Sequence, residues 1–348
     1  MKYILPIVLL LFKANFLLAQ TDTIKVAEED FGSYGDADNT KAKIYCTQKV
    51  LFLTPAKLIT LGYETQLGYT ISSKQGEDFS LVSGMGTGKV NSVRGLRLAF
   101  NAPVISRNKI IVNLGMNYWN SGFDFENTGN YPFYNELNRK GLRTFGLNTT
   151  IFKPFNEKHF LIANLSADKN GNYTFDKLNF ESVTLSATAI FGWKKSDRNM
   201  VGIGATRTYR LGELIYVPVF FWNKTFNDRW GMEILFPARA AVRHNFSTKS
   251  LLQLGYELEG NSYLLQTQNS DAGLLHNTAI RRGEAKIRLV YERALYNFVW
   301  ISLQGGLRVN GRFDVAASQN TPPRENYVIN NTLGNPLYFN ISLNLVSP

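Results

Sequence analysis

From residue 58 almost to the C-terminus, one segment after another alternates apolar and polar side chains for about ten positions. The final segment shows it best: Leu337, Phe339, Ile341, Leu343 and Leu345 face one way, and Tyr338, Asn340, Ser342 and Asn344 the other. Residues 183–193 repeat the pattern, with Val183, Leu185, Ala187, Ala189, Phe191 and Trp193 set against Ser182, Thr184, Ser186 and Thr188. So do 299–310, where Val299, Ile301, Leu303, Leu307 and Val309 oppose Ser302, Gln304, Arg308 and Asn310. A period of two over this length belongs to β-strands with one dry and one wet face, not to helices.

Strand count and loop spacing then separate a soluble sheet from a membrane one. Strands are predicted near 58–71, 90–102, 108–121, 141–153, 158–168, 182–194, 198–209, 213–225, 229–236, 238–246, 249–264, 279–292, 297–311 and 336–346. Short links at 156–157, 195–198, 226–228, 247–250 and 293–296 interleave with long ones at 72–89, 122–140, 169–181, 265–278 and 313–335. Short turns on one rim and long loops on the other describe an antiparallel up-and-down transmembrane β-barrel of the outer membrane, with the short turns toward the periplasm. The expected fold is therefore all-β, with about fourteen strands spanning 58–346, or twelve on the other count.

Two places resist the scheme. Residues 229–246 read as one long strand or as two joined at Phe236, Pro237 and Ala238; parity favours two, because the later long loops otherwise change rim. Pro218 falls mid-strand and cannot donate to a ladder, so a bulge is expected there, with Pro218 facing inward.

The N-terminus reads as an export signal over residues 1–19. Lys2 is followed by an apolar stretch at 4–12 too short to span a bilayer, then by Ala19 as a small residue for cleavage. Lys13 interrupts that stretch, and Leu17 is large for its place before the cut. No other run approaches the roughly 20 apolar residues of a membrane helix, although 44% of residues are hydrophobic. Residues 20–57 follow as a periplasmic tail or short strand: 20–41 are polar and acidic, and 43–53 alternate weakly, as an extra strand, a short periplasmic element or part of a lumen plug. The one cysteine, Cys46, can form no internal disulfide and lies too far from the cut to carry a lipoprotein's lipid.

The formal charge of +11 falls by two, to +9, once Lys2 and Lys13 leave with the signal. Lipopolysaccharide phosphates or an anionic solute would be attracted to such an excess. The cations are spread along the chain with no dense patch, so a nucleic-acid partner is not expected.

Charge recurs on the face expected to point inward: Glu233, Arg239, Arg243, Glu257, Glu259, Lys286, Arg288, Arg308 and Arg312. Folding the hairpin at 247–249 sets Arg239 across from Glu257, with Glu259 diagonal to it. A salt-bridged filling that stiffens the barrel is the preferred reading, since small barrels commonly fill their interiors with side chains. The other is a charged constriction that selects a solute. Outward aromatics at stripe ends, Tyr63, Tyr69, Tyr118, Trp193, Phe221, Tyr256 and Tyr291, suit an interfacial girdle.

Signals for chemistry are faint. His159, His244 and His276 share no metal-ligand spacing with one another, with Cys46 or with paired carboxylates, so no metal or other cofactor is expected. His244 near Ser247 is the one candidate for a lipid-cleaving pair, and an interfacial histidine is its ordinary meaning. Gly84, Gly86 and Gly88 form GMGTG, but a phosphate cradle needs a strand before it and a helix after it.

The export signal, the hairpin rhythm over nearly the whole mature chain, and the stretch RWGMEILFPARAAVRHNFSTKSLLQLGYELEG from Arg229 to Gly260 resemble a family of outer-membrane β-barrels of Bacteroidota known as a domain of unknown function. The resemblance implies residence in the outer membrane and carries over no functional residues. Outer-membrane barrels generally end on an aromatic residue; here Pro348 stands last, leaving Phe339 and Leu345 to meet the barrel-assembly machinery. Three functions follow as expectations: a pore or transporter for small solutes, a non-conducting barrel acting through its long loops, and, last, a lipid-modifying enzyme.

Overall fold

The computed structural model describes residues 44–76, 86–129, 131–174, 183–266, 275, 277–318 and 327–347. His276, Gly84, the export signal and the acidic tail lie outside them. The strands are β1 (Lys57–Gln66), β2 (Tyr69–Gln75), β3 (Thr87–Arg107), β4 (Ile110–Phe125), β5 (Leu142–Pro154), β6 (His159–Gly171), β7 (Val183–Ser196) and β8 (Asn199–Thr208). They continue as β9 (Ile215–Thr225), β10 (Trp230–Phe236), β11 (Arg239–Ser247), β12 (Ser250–Leu264), β13 (Ala279–Tyr296), β14 (Val299–Ala316), β15 (Tyr327–Leu333) and β16 (Leu337–Val346), with one helix, α1 (Pro132–Lys140), between β4 and β5.

From β2 to β15 each strand pairs antiparallel with the next, and β1 closes the ring by pairing with β16 on one edge and β3 on the other. β2 continues β1 beyond Leu67 and Gly68, and β15 leads into β16, so each is the upper half of a strand broken at mid-height. Counting each broken strand once gives a closed barrel of fourteen antiparallel strands. β10 and β11 form the tight hairpin that parity favours, with Leu235 opposite Arg239 around Pro237. A proline there has no N–H to extend the ladder.

The apolar stripes face out. Leu147 is 54% exposed, Leu254 60% and Leu343 47%, whereas Arg308 and Tyr338, on the other face, are 0% exposed. A closed barrel satisfies its backbone polar groups between strands and so tolerates hydrocarbon around it. The apolar band with charge inside is therefore a lipid-facing surface, and the protein is an outer-membrane-type β-barrel.

Pro218 corrects the sequence reading. It lies opposite Ala205 in unbroken register, with no bulge, and its exposed ring faces outward beside Phe220. β10 stops opposite Phe220, so β9 has no β10 partner at the level of Pro218. The missing N–H is thus placed where the sheet has only one ladder neighbour. Phe221 and Tyr69 also turn inward rather than into a girdle: Phe221 lies opposite Gly202 on the lumen face, and Tyr69 packs into an internal apolar cluster. Tyr63 keeps its outward place, 43% exposed.

The barrel narrows upward. β8, β10 and β11 have 10, 7 and 9 residues, while β12, β13 and β14 have 15, 18 and 18. Above the short sector β6 and β12 meet as a parallel pair at Gly171 and Leu264, and the Asn172 amide donates to the Leu264 carbonyl at 3.3 Å. The wall above this contact therefore needs only nine strands, β12–β13–β14–β15–β2–β3–β4–β5–β6.

That neck is packed like a soluble core. Phe123, Phe133, Tyr134, Leu137, Ile280 and Val315 are among its buried residues, each 6% exposed or less. Each such side chain removed from water contributes roughly 1.5–3 kcal/mol. α1 supplies Phe133, Tyr134 and Leu137 to the core and ends at Gly141 (φ 63°), where a Cβ would sit 2.3 Å from the Ser121 carbonyl oxygen. Both the left-handed φ and the close approach demand glycine there. The α1 residue Glu136 accepts hydrogen bonds from Arg139 and Asn172, each at 2.7 Å, tying the helix to the top of β6.

Candidate functional site

The lumen is layered. At the short-turn end, residues 44–56 run along the inner wall from the β5–β6 turn to β1, as a strap. The Cys46 amide donates to Asn156 O (2.9 Å), and Leu51 N–H to Asp197 O (2.8 Å). Lys194 Nζ donates to Thr47 Oγ1 (2.6 Å) and to the Lys49 carbonyl (3.0 Å). Further along, the Thr54 hydroxyl donates to Glu233 Oε1 (2.7 Å) and accepts from Gln253 Nε2 (2.7 Å). Lys57 then pairs with Glu292 at 2.5 Å. Cys46 and Val50 pack on Phe152, Phe160 and Met200. Residues 44–56 are thus held against the barrel wall by hydrogen bonds and apolar packing. Burial pushes the Cys46 thiol above its ordinary pKa.

Below the neck lies the charge cluster. Arg97 donates to Glu259 Oε1 at 2.7 Å and to Glu64 Oε1 at 2.9 Å. Lys286 lies 2.5 Å from Glu259 and 3.2 Å from Glu64. Arg308 is ion-paired with both Glu64 and Glu284, and Arg282 with Glu284 at 3.2 Å. The Tyr338 ring lies under Lys286 and Arg308, at 5.2 and 5.4 Å. Five strands, β1, β3, β12, β13 and β14, are thereby cross-linked. Alongside, Asn170 donates to Thr184 and accepts from Asn261, both at 2.9 Å, which closes the seam between β6, β7 and β12 with uncharged groups.

Between these packed layers the inward residues of β4–β8 remain partly accessible. Asn117, Asn148, Asn164, Ser166, Thr188 and Thr206 all share this condition, although Met200 below (1%) and Thr184 above (3%) are buried. The middle of the barrel is therefore a chamber rather than a filled interior. Its near wall is built of amides and hydroxyls that also bond one another, Asn164 to Thr150 at 2.9 Å and Thr188 to Thr206 at 2.7 Å.

The residues singled out from sequence divide among these layers. Glu259, Lys286 and Arg308 enter the upper cluster. Glu233 and Arg243 lie 3.3 Å apart at the strap. Arg239 and Glu257 are directly opposite in register, but the Glu257 carboxylate is held by Arg288 at 2.6 Å, and Arg239 is left exposed at the top of β11. Arg312 is a correction: β14 shifts register between Asn310 and Arg312, which puts Arg312 opposite Gly283 on the outer face. There it pairs with Glu213 of the β8–β9 loop at 2.6 Å and with Asp314 at 2.8 Å. Glu64, Arg97, Arg282, Glu284 and Lys194 escaped the sequence reading. Glu64 between Tyr63 and Thr65, and Arg97 between two leucines, carry the alternation that would have found them.

His244 stacks edge-on between Trp230 and Phe246, with ring centroids 4.5 and 4.7 Å away, while the Ser247 hydroxyl accepts the Lys249 amide at 3.1 Å. This is an aromatic belt at the short-turn rim, with no nucleophile–base contact in it. No cluster of three metal-ligating side chains occurs among the described residues.

Residues 107–344 match the model of a family described as a domain of unknown function, DUF6268. No curated protein matches the sequence. Among solved structures, an outer membrane channel from Pseudomonas putida F1 is 10% identical, with 90% of this chain and 100% of that one covered and a TM-score of 0.39. A Pseudomonas aeruginosa FadL homologue is 10% identical over 83% and 90% of the two chains, with a TM-score of 0.39. The P. putida toluene transporter TodX is 8% identical over 85% and 91%, with a TM-score of 0.38.

Proposed function

The chain belongs to that family, and we propose that it is exported across the inner membrane by a cleaved leader and works in the outer membrane as a pore or transporter for small solutes, resting with its lumen closed. The observation that carries this reading is the chamber. A barrel filled only for rigidity has no reason to leave hydroxyls and amides accessible between two buried layers. The short-turn rim faces the periplasm, so the strap closes the lumen from that side by hydrogen bonds and ion pairs, which can be exchanged for water. Outward cations at the rims meet lipopolysaccharide and phospholipid phosphates, and β16, with Phe339 and Leu345, meets the assembly machinery.

Liposome swelling with the mature chain tests the pore. Thr54→Val combined with Lys194→Ala loosens the strap, and solute entry is expected to rise several-fold over the wild type. Absence of entry in both proteins, with strap release verified by Cys46 alkylation, would count against transport. That result would support the non-conducting barrel, which the tightly packed neck favours.

A further inference from the structure

The chamber's two walls differ in chemistry. On β5–β8 the inward positions at chamber height are uncharged hydrogen-bonding groups, Asn148, Asn164, Ser166, Thr188 and Thr206, all partly accessible. Asp168 marks the upper edge of this wall and is held by hydrogen bonds from Asn117 and Ser166. Across the lumen the carboxylates and cations mostly neutralise one another: Glu257 with Arg288, Glu259 with Arg97 and Lys286. Arg239 is the exception. It faces inward and is exposed, and the Glu257 carboxylate opposite it is ion-paired with Arg288 at 2.6 Å, so that Arg239 acts on it only at longer range. It also sits directly beneath the β10–β11 turn, where the barrel wall is lowest.

A neutral wall dense in donors and acceptors matches a solute with several hydroxyls, because each buried polar group of such a ligand needs a partner. An accessible guanidinium opposite that wall matches one carboxylate or phosphate, which it can hold bidentately. From the two together, and resting on the transport reading above, we infer that the chamber takes a small polyhydroxylated monoanion of the sugar-acid type. Arg239 fixes the charged end, and the Asn164–Thr206 wall receives the hydroxyls.

The test uses the full mature chain in detergent and in liposomes, with glucuronate, glucose and acetate as probes. Glucuronate is expected to bind most tightly by isothermal titration and to enter liposomes faster than either of the others. Arg239→Gln is expected to weaken glucuronate about tenfold, to the level of glucose, while Arg239→Lys keeps part of the preference. Asn164→Leu with Thr206→Val is expected to weaken glucose and glucuronate alike and to leave acetate unchanged. Heat-modifiable gel migration confirms that each variant is folded. Equal affinity for the three probes, or a glucuronate preference untouched by Arg239→Gln, overturns the inference. Entry of all probes without preference leaves the pore standing and removes this ligand; glucuronate binding without entry of any probe does the reverse.

Discussion

Gly171 on β6 and Leu264 on β12 lie side by side as a parallel pair, although six strand-to-strand steps separate β6 from β12 along the ring. Both strands rise toward the long-loop rim. Where the strands between them stop short, the two free edges find each other, so the wall closes over a smaller circumference. An unpaired edge exposes a row of N–H and C=O groups; this contact removes part of that exposure and creates room for a hydrophobic neck.

The seam should therefore open locally. Asn170→Leu removes bonds to Thr144, Thr184 and Asn261 and leaves buried polar groups unsatisfied, at a cost of about 1–3 kcal/mol. Hydrogen exchange at the Asn172 amide should speed up correspondingly while amides of β16 keep their protection. Equal loss of protection at both places would mean that neck and barrel open as one unit.

The charge cluster should behave as a unit. Glu64→Gln leaves Arg97, Lys286 and Arg308 facing a neutral amide, and breaking one partner of a buried ion network costs about 3–5 kcal/mol. A lower denaturant midpoint in detergent is expected, partly restored by adding Arg308→Met. An additive double variant would show that the two side chains are not coupled.

Depth in the bilayer gives a third expectation. Ile341 lies mid-strand on the outer face, opposite Tyr63 and Leu303, and Leu345 lies nearer the short-turn rim. Arginine should cost about 2–4 kcal/mol at Ile341 and about 0–1 kcal/mol at Leu345. Reversal of that order, measured by reversible unfolding into lipid, would place the strands differently in the membrane.

Cys46 reports on the strap. Burial raises its thiol pKa, so docking favours the neutral thiol. The folded pKa lies above the unfolded one; the stabilisation is complete below the ordinary thiol range and is lost as pH rises through the elevated value. Maleimide labelling of the folded chain should be slow at neutral pH and accelerate steeply only in alkali, and Thr54→Val should shift that acceleration to lower pH. Rapid labelling of the wild type at neutral pH would contradict a seated strap.

Much of this architecture is legible in the sequence. Strands such as 337–346 are half in oil and half facing the lumen, so each residue records its face and the period survives. The β10–β11 hairpin follows from Pro237 and the parity of the loops. Legibility fails where tertiary contact overrides the local pattern. β15 and α1 lie in stretches that read as long loops, because they pack into a neck core that alternation does not encode. The register shift after Asn310 turns Arg312 outward, and a one-residue slip of this kind leaves no mark on composition. Pro218 shows the converse error: a bulge is needed only if both edges are paired, and the end of β10 is invisible from β9 alone. The strap's weak alternation at 43–53 could not disclose that its partners, Lys194, Glu233 and Gln253, lie far away in the chain.

That distance has a temporal side. The strap precedes β1, yet its hydrogen-bonding seats belong to β7 (Lys194), β9 (Thr225 to Leu51 O), β10 (Glu233), β11 (Asn245 to Phe52 O) and β12 (Gln253), which emerge much later from synthesis. The first strand must likewise wait for the last, since β1 completes its pairing only with β16. Assembly consequently passes through a hoop whose short-turn mouth is unstoppered, and the seal is the final piece to be laid.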